Sequence, residues 1–293
     1  MLNKKHTLII LFILLFIYSC KKSTNPITPD LGTFIYPLEV GNRWEYDRQV
    51  STFNYRSKDS LNYPRYDDSL NYHSEIVVEI MREKTILDTI KTFVIQTSET
   101  DTLLREFWGE HYYKNQSDGL FLYAYNTYGG GSNGLPKFSN SEKIIFNGIA
   151  FNSFADITRT LYLMLPKIFT LNSDSLIYND PPIKNLEYPI QTSNEWIFRE
   201  SNKPFAINKR VLGKESISLP SRIFSCYKIE WLYDIDNNNE WDENISVVDF
   251  ISDEGLIKRA MFLKDLVITT AESPDGNGYF DWSEEIILKN TNL

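Results

Sequence analysis

Apolar and polar residues alternate along much of the chain, which is the pattern of strands with one buried face. Ile76, Val78 and Ile80 alternate with Glu75 and Glu79, and side chains two positions apart in a strand point to the same face. Similar runs cover 91–97, 119–126, 225–233, 246–251 and 256–262, separated by short gaps rich in turn residues. The sequence therefore predicts a mainly β fold of curled antiparallel sheets with at most one or two short helices.

One helix is predicted near the middle of the chain. Ser153 and Asp156 are spaced like the two members of a capping box. Apolar side chains follow at helical spacing, namely Phe154, Ile157, Leu161 and Leu165, and Pro166 ends the run. A strand over 161–165 is the alternative, since short apolar runs fit either structure.

Two stretches of the chain resemble each other without gaps. Residues 36–46 read YPLEVGNRWEY and residues 188–198 read YPIQTSNEWIF, so that Tyr, Pro, Asn and Trp recur at the same positions. Proline suits the entry of a strand because it cannot donate to a ladder, and asparagine suits a tight turn. Trp44 and Trp196 would then begin equivalent strands.

A second shared block strengthens the repeat, since Gly119 in DGLF corresponds to Gly255 in EGLI. The pattern predicts two related β-rich halves, 34–185 and 186–293, with chance recurrence of a strand-start pattern as the alternative. The first half is longer between the two blocks, and the polar stretch 56–72, which repeats the pentapeptide DSLNY, is predicted to be a surface insertion.

The N-terminus has the layout of an export signal. Lys4 and Lys5 precede a twelve-residue apolar run over 7–18, which is shorter than the roughly 20 residues that a membrane-spanning helix needs. Residues 17–20, Ile-Tyr-Ser-Cys, resemble the lipobox of bacterial lipoproteins. An uncleaved signal anchor with an incidental cysteine is the alternative.

The resemblance implies that residues 1–19 are a signal peptide and that the Cys20 thiol carries a diacylglyceryl group. Two or more acyl chains suffice for stable attachment to a bilayer. Residues 20–33 are polar, contain two prolines, and are predicted to be a flexible tether. The protein would then lie in the cell envelope outside the cytosol, anchored in the inner or the outer membrane.

Charge and cysteine content limit the partners. The net charge is −9, and removal of residues 1–19, which carry two lysines and no acids, takes it to −11. This disfavours nucleic acid as a partner and disfavours electrostatic docking on anionic lipid. With Cys20 acylated, Cys226 is left unpaired inside an apolar run, where a buried core position is expected.

The mature chain is also similar to an uncharacterised group of secreted bacterial lipoproteins. The similarity rests on the start at Tyr36, of the form YPL-x-x-G-N-x-W-x-Y, and on the block 215–229, ESISLPSRIFSCYKI. The latter block also resembles the curled antiparallel sheets of lipoprotein carriers, which hold acyl chains in a concave face. That resemblance implies a hydrophobic-ligand binder, although a shared fold does not establish function.

Two loops are rich in oxygen-bearing side chains and share the pattern Asp-x-Asn-x-x-aromatic-Asp. Calcium takes six to eight oxygen ligands in irregular geometry, so the sequence proposes ligands in both loops: Asp234, Asp236, Asn238 and Asp242 in the first, and Asp275, Asn277, Asp281 and Glu284 in the second. The first departs from an EF-hand, because Asn239 and Ile245 stand where that loop has Gly and Glu. Hydrated hairpin ends are the alternative, since the same residues favour turns.

The sequence lacks the common catalytic patterns. Residues 130–134, GGSNG, match Gly-x-Ser-x-Gly, but Pro136 prevents the helix that a nucleophile elbow needs, and no histidine follows Ser132. Only His73 and His111 remain after processing, and no HExxH, CxxC or P-loop is present. We therefore expect a non-catalytic structural or binding protein, with a carbohydrate-binding or carboxylate-based glycan-cleaving module left open as an alternative.

Overall fold

The computed structural model describes residues 34–57, 71–101, 106–128, 143–163, 176–200, 205–220, 222–270, 274, 276 and 278–293. These residues form fourteen strands and one helix. The first half of the chain contains β1 Arg43–Ser57, β2 Asn71–Ile86, β3 Ile90–Asp101, β4 Glu106–Gln116, β5 Gly119–Tyr128, β6 Lys143–Phe146, β7 Ile149–Phe151, α1 Phe154–Leu163 and β8 Ile177–Glu187. The second half contains β9 Glu195–Arg199, β10 Ala206–Ser218, β11 Ile223–Asp234, β12 Ile245–Ser252, β13 Gly255–Thr269 and β14 Gly278–Thr291.

All fourteen strands belong to one antiparallel sheet. Twelve of them follow the order β8-β5-β4-β3-β2-β1-β14-β13-β12-β11-β10-β9, while β6 pairs with β13 and β7 pairs with β6. The first and last long strands are joined directly, with Trp44 opposite Thr291 in the register of β1 and β14. The prediction of a mainly antiparallel β fold is confirmed, and the strands share one continuous sheet.

The alternation seen in the sequence corresponds to the two faces of the sheet. In β1 the side chains at every second position are buried, namely Trp44, Tyr46, Arg48, Val50 and Thr52. Side chains between them face outward, because successive residues of a strand point to opposite faces. The buried positions line the concave side, which contains the largest core cluster.

The sheet curls until its two outer strands, β8 and β9, lie beside each other, so it is nearly closed like a barrel. Their contact is made by side chains instead of a backbone ladder. Trp196 Nε1 of β9 donates to the Lys184 carbonyl of β8 at 3.1 Å, and Lys209 Nζ of β10 donates to the Asn185 carbonyl of β8 at 3.1 Å. An indole and an ammonium group therefore bridge the seam.

The helix α1 packs on the concave side of the sheet. Phe154 stacks on Trp282 and meets Phe280 edge-on, both with ring centroids 6.0 Å apart, and Ile157 and Leu161 are completely buried. The Ser153 hydroxyl accepts a hydrogen bond from the Asp156 amide at 3.1 Å, as an N-cap does. The predicted helix is confirmed, and the alternative strand is wrong for Leu161–Leu163; residues 164 and 165 lie outside the described residues.

The two halves contribute matching sets of strands. Strands β1–β5 with β8, and β9–β14, each form a six-stranded antiparallel meander. The turn before each meander is built alike: Asn42 Nδ2 donates to the Pro37 carbonyl at 3.0 Å, and Asn194 Nδ2 donates to the Pro189 carbonyl at 3.2 Å. This geometry agrees with the repeat in the sequence, while descent by duplication stays a prediction.

The boundaries predicted for the two halves and for the insertion fall within strands of the structure. The boundary between residues 185 and 186 lies near the end of β8. The proposed insertion 56–72 begins in β1 and ends in β2, and its residues 58–70 lie outside the described part, as do the proposed signal peptide 1–19 and tether 20–33. Within the described ranges, no helix has both the length and the apolar character needed to cross a bilayer.

Candidate functional site

Trp44 of the first half and Gly255 of the second half lie together in the core, at the end of the sheet where β1 begins. Trp44 is fully buried, and its Nε1 donates to the Glu254 carbonyl at 2.5 Å. Gly255 has φ +99°, and a Cβ at this position would lie 3.1 Å from Trp44 Nε1. Glycine is thus required both by the left-handed backbone and by the close approach of the indole.

The other two repeat residues, Trp196 of the second half and Gly119 of the first half, have a similar structural role. Trp196 is buried, and Gly119 lies directly against β8, where an added Cβ would be only 2.3 Å from the Leu186 carbonyl oxygen. Trp44 and Trp196 are therefore core residues. Neither forms a flat exposed platform of the kind that binds sugars.

The first acidic loop is held together by its own backbone amides. Asp234 accepts hydrogen bonds from the amides of Asn238 and Asn239, at 2.9 and 3.0 Å. Asp236 accepts from the Asn238 amide at 3.2 Å. Asn239 has φ +67°, a conformation that asparagine tolerates better than most residues. These contacts account for the Asp and Asn content through turn chemistry.

The remaining acid of this loop, Asp242, ties it to the first half of the chain. Its carboxylate accepts hydrogen bonds from the Ile235 amide and from Asn147 Nδ2, both at 2.7 Å. Burial, together with nearby Asp236 and Asp234, raises the pKa of Asp242. In the part of the chain that the structure describes, no group of three His, Cys, Asp or Glu residues is arranged to hold a metal ion, and calcium binding by this loop stays a prediction.

The second acidic segment is divided between two environments. Asp275 and Asn277 lie outside the described residues. Asp281 and Glu284 both lie in β14, three positions apart, so they face opposite sides of the sheet. They do not share one ligand sphere.

Asp281 is bound to an arginine on the convex side of the sheet. Its carboxylate accepts hydrogen bonds from Arg56 at 2.7 Å and from Asn54 Nδ2 at 2.7 Å. Burial would raise the pKa of Asp281, but the hydrogen bonds from Arg56 and Asn54 outweigh burial and lower the pKa to about 2. Asp281 is therefore a paired structural carboxylate.

Glu284 belongs to a charged cluster inside the sheet, centred on Arg48. Arg48 is buried, and its two terminal nitrogens donate to Glu99 and Glu284, each at 2.8 Å. Ser74 Oγ donates to the same Glu99 oxygen at 2.7 Å. A buried charge costs stability unless it is paired and hydrogen-bonded. Arg48 is paired with both carboxylates, while Arg48 Nε and Glu284 Oε1 have no hydrogen-bond partner among the described residues.

A second charged cluster lies further around the interior. Arg259 binds the Asp249 carboxylate through two nitrogens, at 2.5 and 2.8 Å. Trp231 Nε1 donates to the same carboxylate at 2.9 Å, and the Arg259 guanidinium lies 4.7 Å from the Tyr162 ring centre. The helix and three neighbouring strands, β11, β12 and β13, are thereby joined around one ion pair.

Lys209 is a buried amine without a carboxylate in direct contact. Its Nζ donates to the backbone and side-chain oxygens of Asn185 at 3.1 and 2.9 Å, and it lies 3.8 Å from the centre of the Trp231 ring. Burial lowers the pKa of Lys209 well below its usual value, and the nearby Asp249 offsets only part of this effect.

Arg199 is a second buried basic group without a carboxylate in direct contact, and it closes the end of α1. Its Nη2 donates to the Thr160 carbonyl at 3.0 Å, and a cation at a helix C-terminus is favourable because of the helix dipole. Its Nε and Nη1 have no hydrogen-bond partner among the described residues. Burial lowers the pKa of Arg199 to about 10.

The remaining groups with possible reactivity are His111, which is half-buried in β4, and Cys226, which is buried in β11. Burial lowers the pKa of His111 to about 4, so this imidazole is neutral at pH 7. Burial raises the pKa of Cys226 to about 11, so its thiol stays protonated and unreactive. Cys226 is completely buried, as its apolar run predicts.

The sequence analysis missed the interior charges, although a signal for them exists. Arg48 lies in phase with Trp44 and Tyr46, and Lys209 lies between Ile207 and Val211. A charged residue at an apolar position of an alternating strand is buried and must find a partner. Which partner it finds depends on strands distant in sequence, as with Glu284, and local patterns do not contain that information.

Comparison with known proteins finds similarity to solved structures alone. No protein family matches the chain, and no curated protein matches it. Two crystal structures are similar: a protein from Bacteroides fragilis NCTC 9343 with a YmcC-like fold, thought to be exported, and a protein from Parabacteroides distasonis ATCC 8503 thought to be a lipoprotein. The first has 10% identity and a TM-score of 0.36 and covers 89% of this chain and 100% of its own. The second has 12% identity and a TM-score of 0.34 and covers 89% and 99%.

Proposed function

We propose that the chain is a lipid-anchored protein of the bacterial cell envelope with a structural or binding role and no catalytic activity. The observation that carries the proposal of a non-catalytic role is the filled concave side of the sheet. Phe154, Trp231 and Trp282 pack there with α1 into one buried cluster, and the interior carboxylates Glu99, Glu284 and Asp249 are paired with arginines. Contacts with partners would then be made by the outer surface.

The anchor is the residue that resembles a lipobox cysteine, Cys20. An acylated cysteine, followed by the polar residues 21–33, would hold the folded part close to a bilayer. Labelled palmitate should therefore be incorporated by the wild-type protein in its bacterial host and not by Cys20→Ser. Equal labelling of both proteins, or of neither, would contradict the anchor.

The hydrophobic-carrier alternative requires room for acyl chains, and the packed interior argues against it. Ile157, Leu161 and Trp282 are completely buried on the concave side, where a carried lipid would lie. Cys20→Ser protein prepared without detergent should contain no stoichiometric lipid in a solvent extract analysed by mass spectrometry. One lipid per protein would replace the structural role with a carrier role.

The glycan alternative loses support for a similar reason. Its best candidate platforms, Trp44 and Trp196, are both in the core. The interior carboxylates Glu99 and Glu284 are both bound by Arg48, so each is held in an ion pair instead of facing a cleft where a sugar could bind.

Calcium stabilisation remains part of the proposal for the loop that contains Asp234 and Asp242. Extracellular calcium modules bind with dissociation constants of about 10⁻⁴–10⁻³ M, so millimolar calcium would be needed to fill the site. The melting temperature in millimolar calcium should fall on addition of excess chelator. An unchanged melting temperature would remove calcium from the proposal and leave the anchor untouched.

A further inference from the structure

The chain enters the folded part at a defined end of the sheet. This end, called here the entry end, contains the starts of β1, β3, β5, β9, β11 and β13 and the ends of the strands that precede or pair with them. Phe34 is fixed there by edge-on contacts with Tyr188 and Tyr227, at centroid distances of 5.9 and 5.8 Å. A tether that precedes Phe34 therefore approaches the fold from this end.

The entry end carries exposed aliphatic side chains. Ile223 at the start of β11 is 70% exposed, Leu87 in the β2–β3 turn is 58% exposed, and Ile35 next to Phe34 is 56% exposed. Val40, in the turn before β1, is 50% exposed. These side chains belong to separate connections at the same end of the sheet, so that end presents aliphatic groups on more than one side.

The opposite end of the sheet has a different chemical character. Its exposed large side chains are aromatic, namely Phe53, Tyr55, Trp241 and Tyr279. It also carries the acidic loop with Asp236 and Glu240. Exposed carboxylates occur at the entry end as well, at Glu39 and Asp88, so acidic charge does not distinguish the two ends. The two ends are thus distinguished by side-chain type, with aliphatic groups at the end where the tether enters.

The two hairpins at the entry end occupy equivalent places in the two meanders. The β2–β3 hairpin carries Leu87, and the β10–β11 hairpin carries Ile223. Each hairpin connects the second and third strands of its six-stranded meander. In the sheet order β2-β1-β14-β13-β12-β11, five steps separate β2 from β11. The two hairpins therefore lie on different sides of the curled sheet, where both can meet one flat surface.

We propose that the entry end docks on the bilayer that holds the acyl chains, with Leu87 and Ile223 inserted among the lipid headgroups. The inference rests on the proposed lipid anchor. Thirteen residues separate Cys20 from Phe34, and a chain of that length spans at most about 45 Å, so the entry end cannot move far from the membrane. Aliphatic side chains that leave water at the headgroup boundary are stabilised by burial of their apolar surface, which is also what holds amphipathic helices at a membrane surface.

The test uses the full mature protein, purified with its acyl chains and reconstituted into vesicles of phosphatidylcholine and phosphatidylglycerol. A fluorophore is attached to a cysteine introduced as Leu87→Cys or Ile223→Cys. The native cysteines do not compete for the label, because Cys226 is completely buried and Cys20 is acylated. Nitroxide-labelled phosphatidylcholine then reports contact with the headgroup region. Emission from both positions should fall at least about twofold, because interfacial side chains lie about 5–10 Å deep.

Two control positions are matched to these probes. Ile197 is 59% exposed, almost the same as Leu87, but it lies on the outer face of β9, and Glu240 lies at the opposite end. Fluorophores at Ile197→Cys and Glu240→Cys should keep their emission. Vesicle flotation and the mass of the N-terminal peptide are measured on the same samples.

The outcomes separate the two proposals. Protein that neither floats nor carries acyl chains would contradict the anchor itself. Protein that floats with unquenched fluorophores at positions 87 and 223 would overturn the docking inference alone. Equal quenching at all four positions would also overturn the docking inference. So would a dimer of the Cys20→Ser protein, seen by sedimentation without detergent, in which a second copy of the chain shields the fluorophores at positions 87 and 223.

Discussion

Asp249 of β12 and Arg259 of β13 lie directly opposite each other in the sheet and form a two-bond ion pair inside it, with N–O distances of 2.5 and 2.8 Å. Strand pairing brings them together, and Trp231 supplies a further hydrogen bond to the carboxylate. The interior of this protein is therefore organised by charge pairing as well as by apolar packing, and several measurable consequences follow from that.

The Asp249–Arg259 pair is needed for stability in its complete form. Asp249→Asn should lower the free energy of unfolding by about 3–5 kcal/mol, because it leaves the Arg259 guanidinium buried without a counter-charge. Urea denaturation measures the change. The control is Glu215→Gln, which breaks the half-exposed Glu215–Lys228 pair and should cost less than about 1 kcal/mol. Equal losses in the two variants would contradict a special role for the interior pair.

Lys209 makes stability depend on pH on the alkaline side. Because burial lowers its pKa in the folded state, the unfolded chain binds more protons at any pH between that lowered pKa and about 10.4. The free energy of unfolding of the wild-type protein minus that of Lys209→Met should therefore rise with pH across that range, by at most about 1.4 kcal/mol per pH unit. Urea denaturation of both proteins between pH 7 and 10 provides the comparison, and a difference that does not change with pH would contradict this account.

Asp281 makes stability depend on pH on the acidic side. Its pKa is lowered to about 2 in the fold, so its contribution is present above the unfolded pKa of about 3.9 and is lost as pH falls from about 4 to 2. Asp281→Asn should destabilise the protein by about 2 kcal/mol at pH 7 and by much less at pH 2. Asp265→Asn, which removes the more exposed partner of Arg56, should have the smaller effect; a larger one would show that Asp281 is not the main anchor.

Gly255 is constrained by Trp44 as well as by its backbone angle. Gly148 also has a positive φ, of +74°, but has open space around it, so Gly148→Ala measures the cost of the angle alone, about 1–2 kcal/mol. Gly255→Ala should cost more than Gly148→Ala, because the added Cβ must displace the Trp44 indole. Thermal or urea denaturation compares the two variants, and equal costs would mean that the indole moves aside freely.

The local pattern predicts the elements of this fold well and their partners poorly. Alternation in Glu75–Ile80 corresponds to β2, and the spacing from Ser153 to Leu161 corresponds to α1, because burial of one face leaves its period in the sequence. No local pattern pairs Trp44 with Thr291, which are joined only when the sheet curls. The charged partners of Arg48 and Lys209 are hidden for the same reason.

The acidic loop illustrates a second limit. Asp234, Asp236 and Asn238 have the composition of a cation site and also the composition of a tight turn. In the structure the carboxylates accept hydrogen bonds from loop amides. Such bonds are expected in a tight turn, and they are also compatible with a calcium loop. Sequence alone cannot separate the two, because both select the same short oxygen-bearing side chains.

The central claim is that a lipid-modified cysteine attaches this folded sheet to a membrane outside the cytosol. Mass spectrometry of the protein isolated from membranes of its natural host tests it most directly. We predict a mature chain that begins at Cys20 and whose first peptide carries a diacylglyceryl group. A chain that retains Met1 and carries a free thiol at Cys20 would contradict the account.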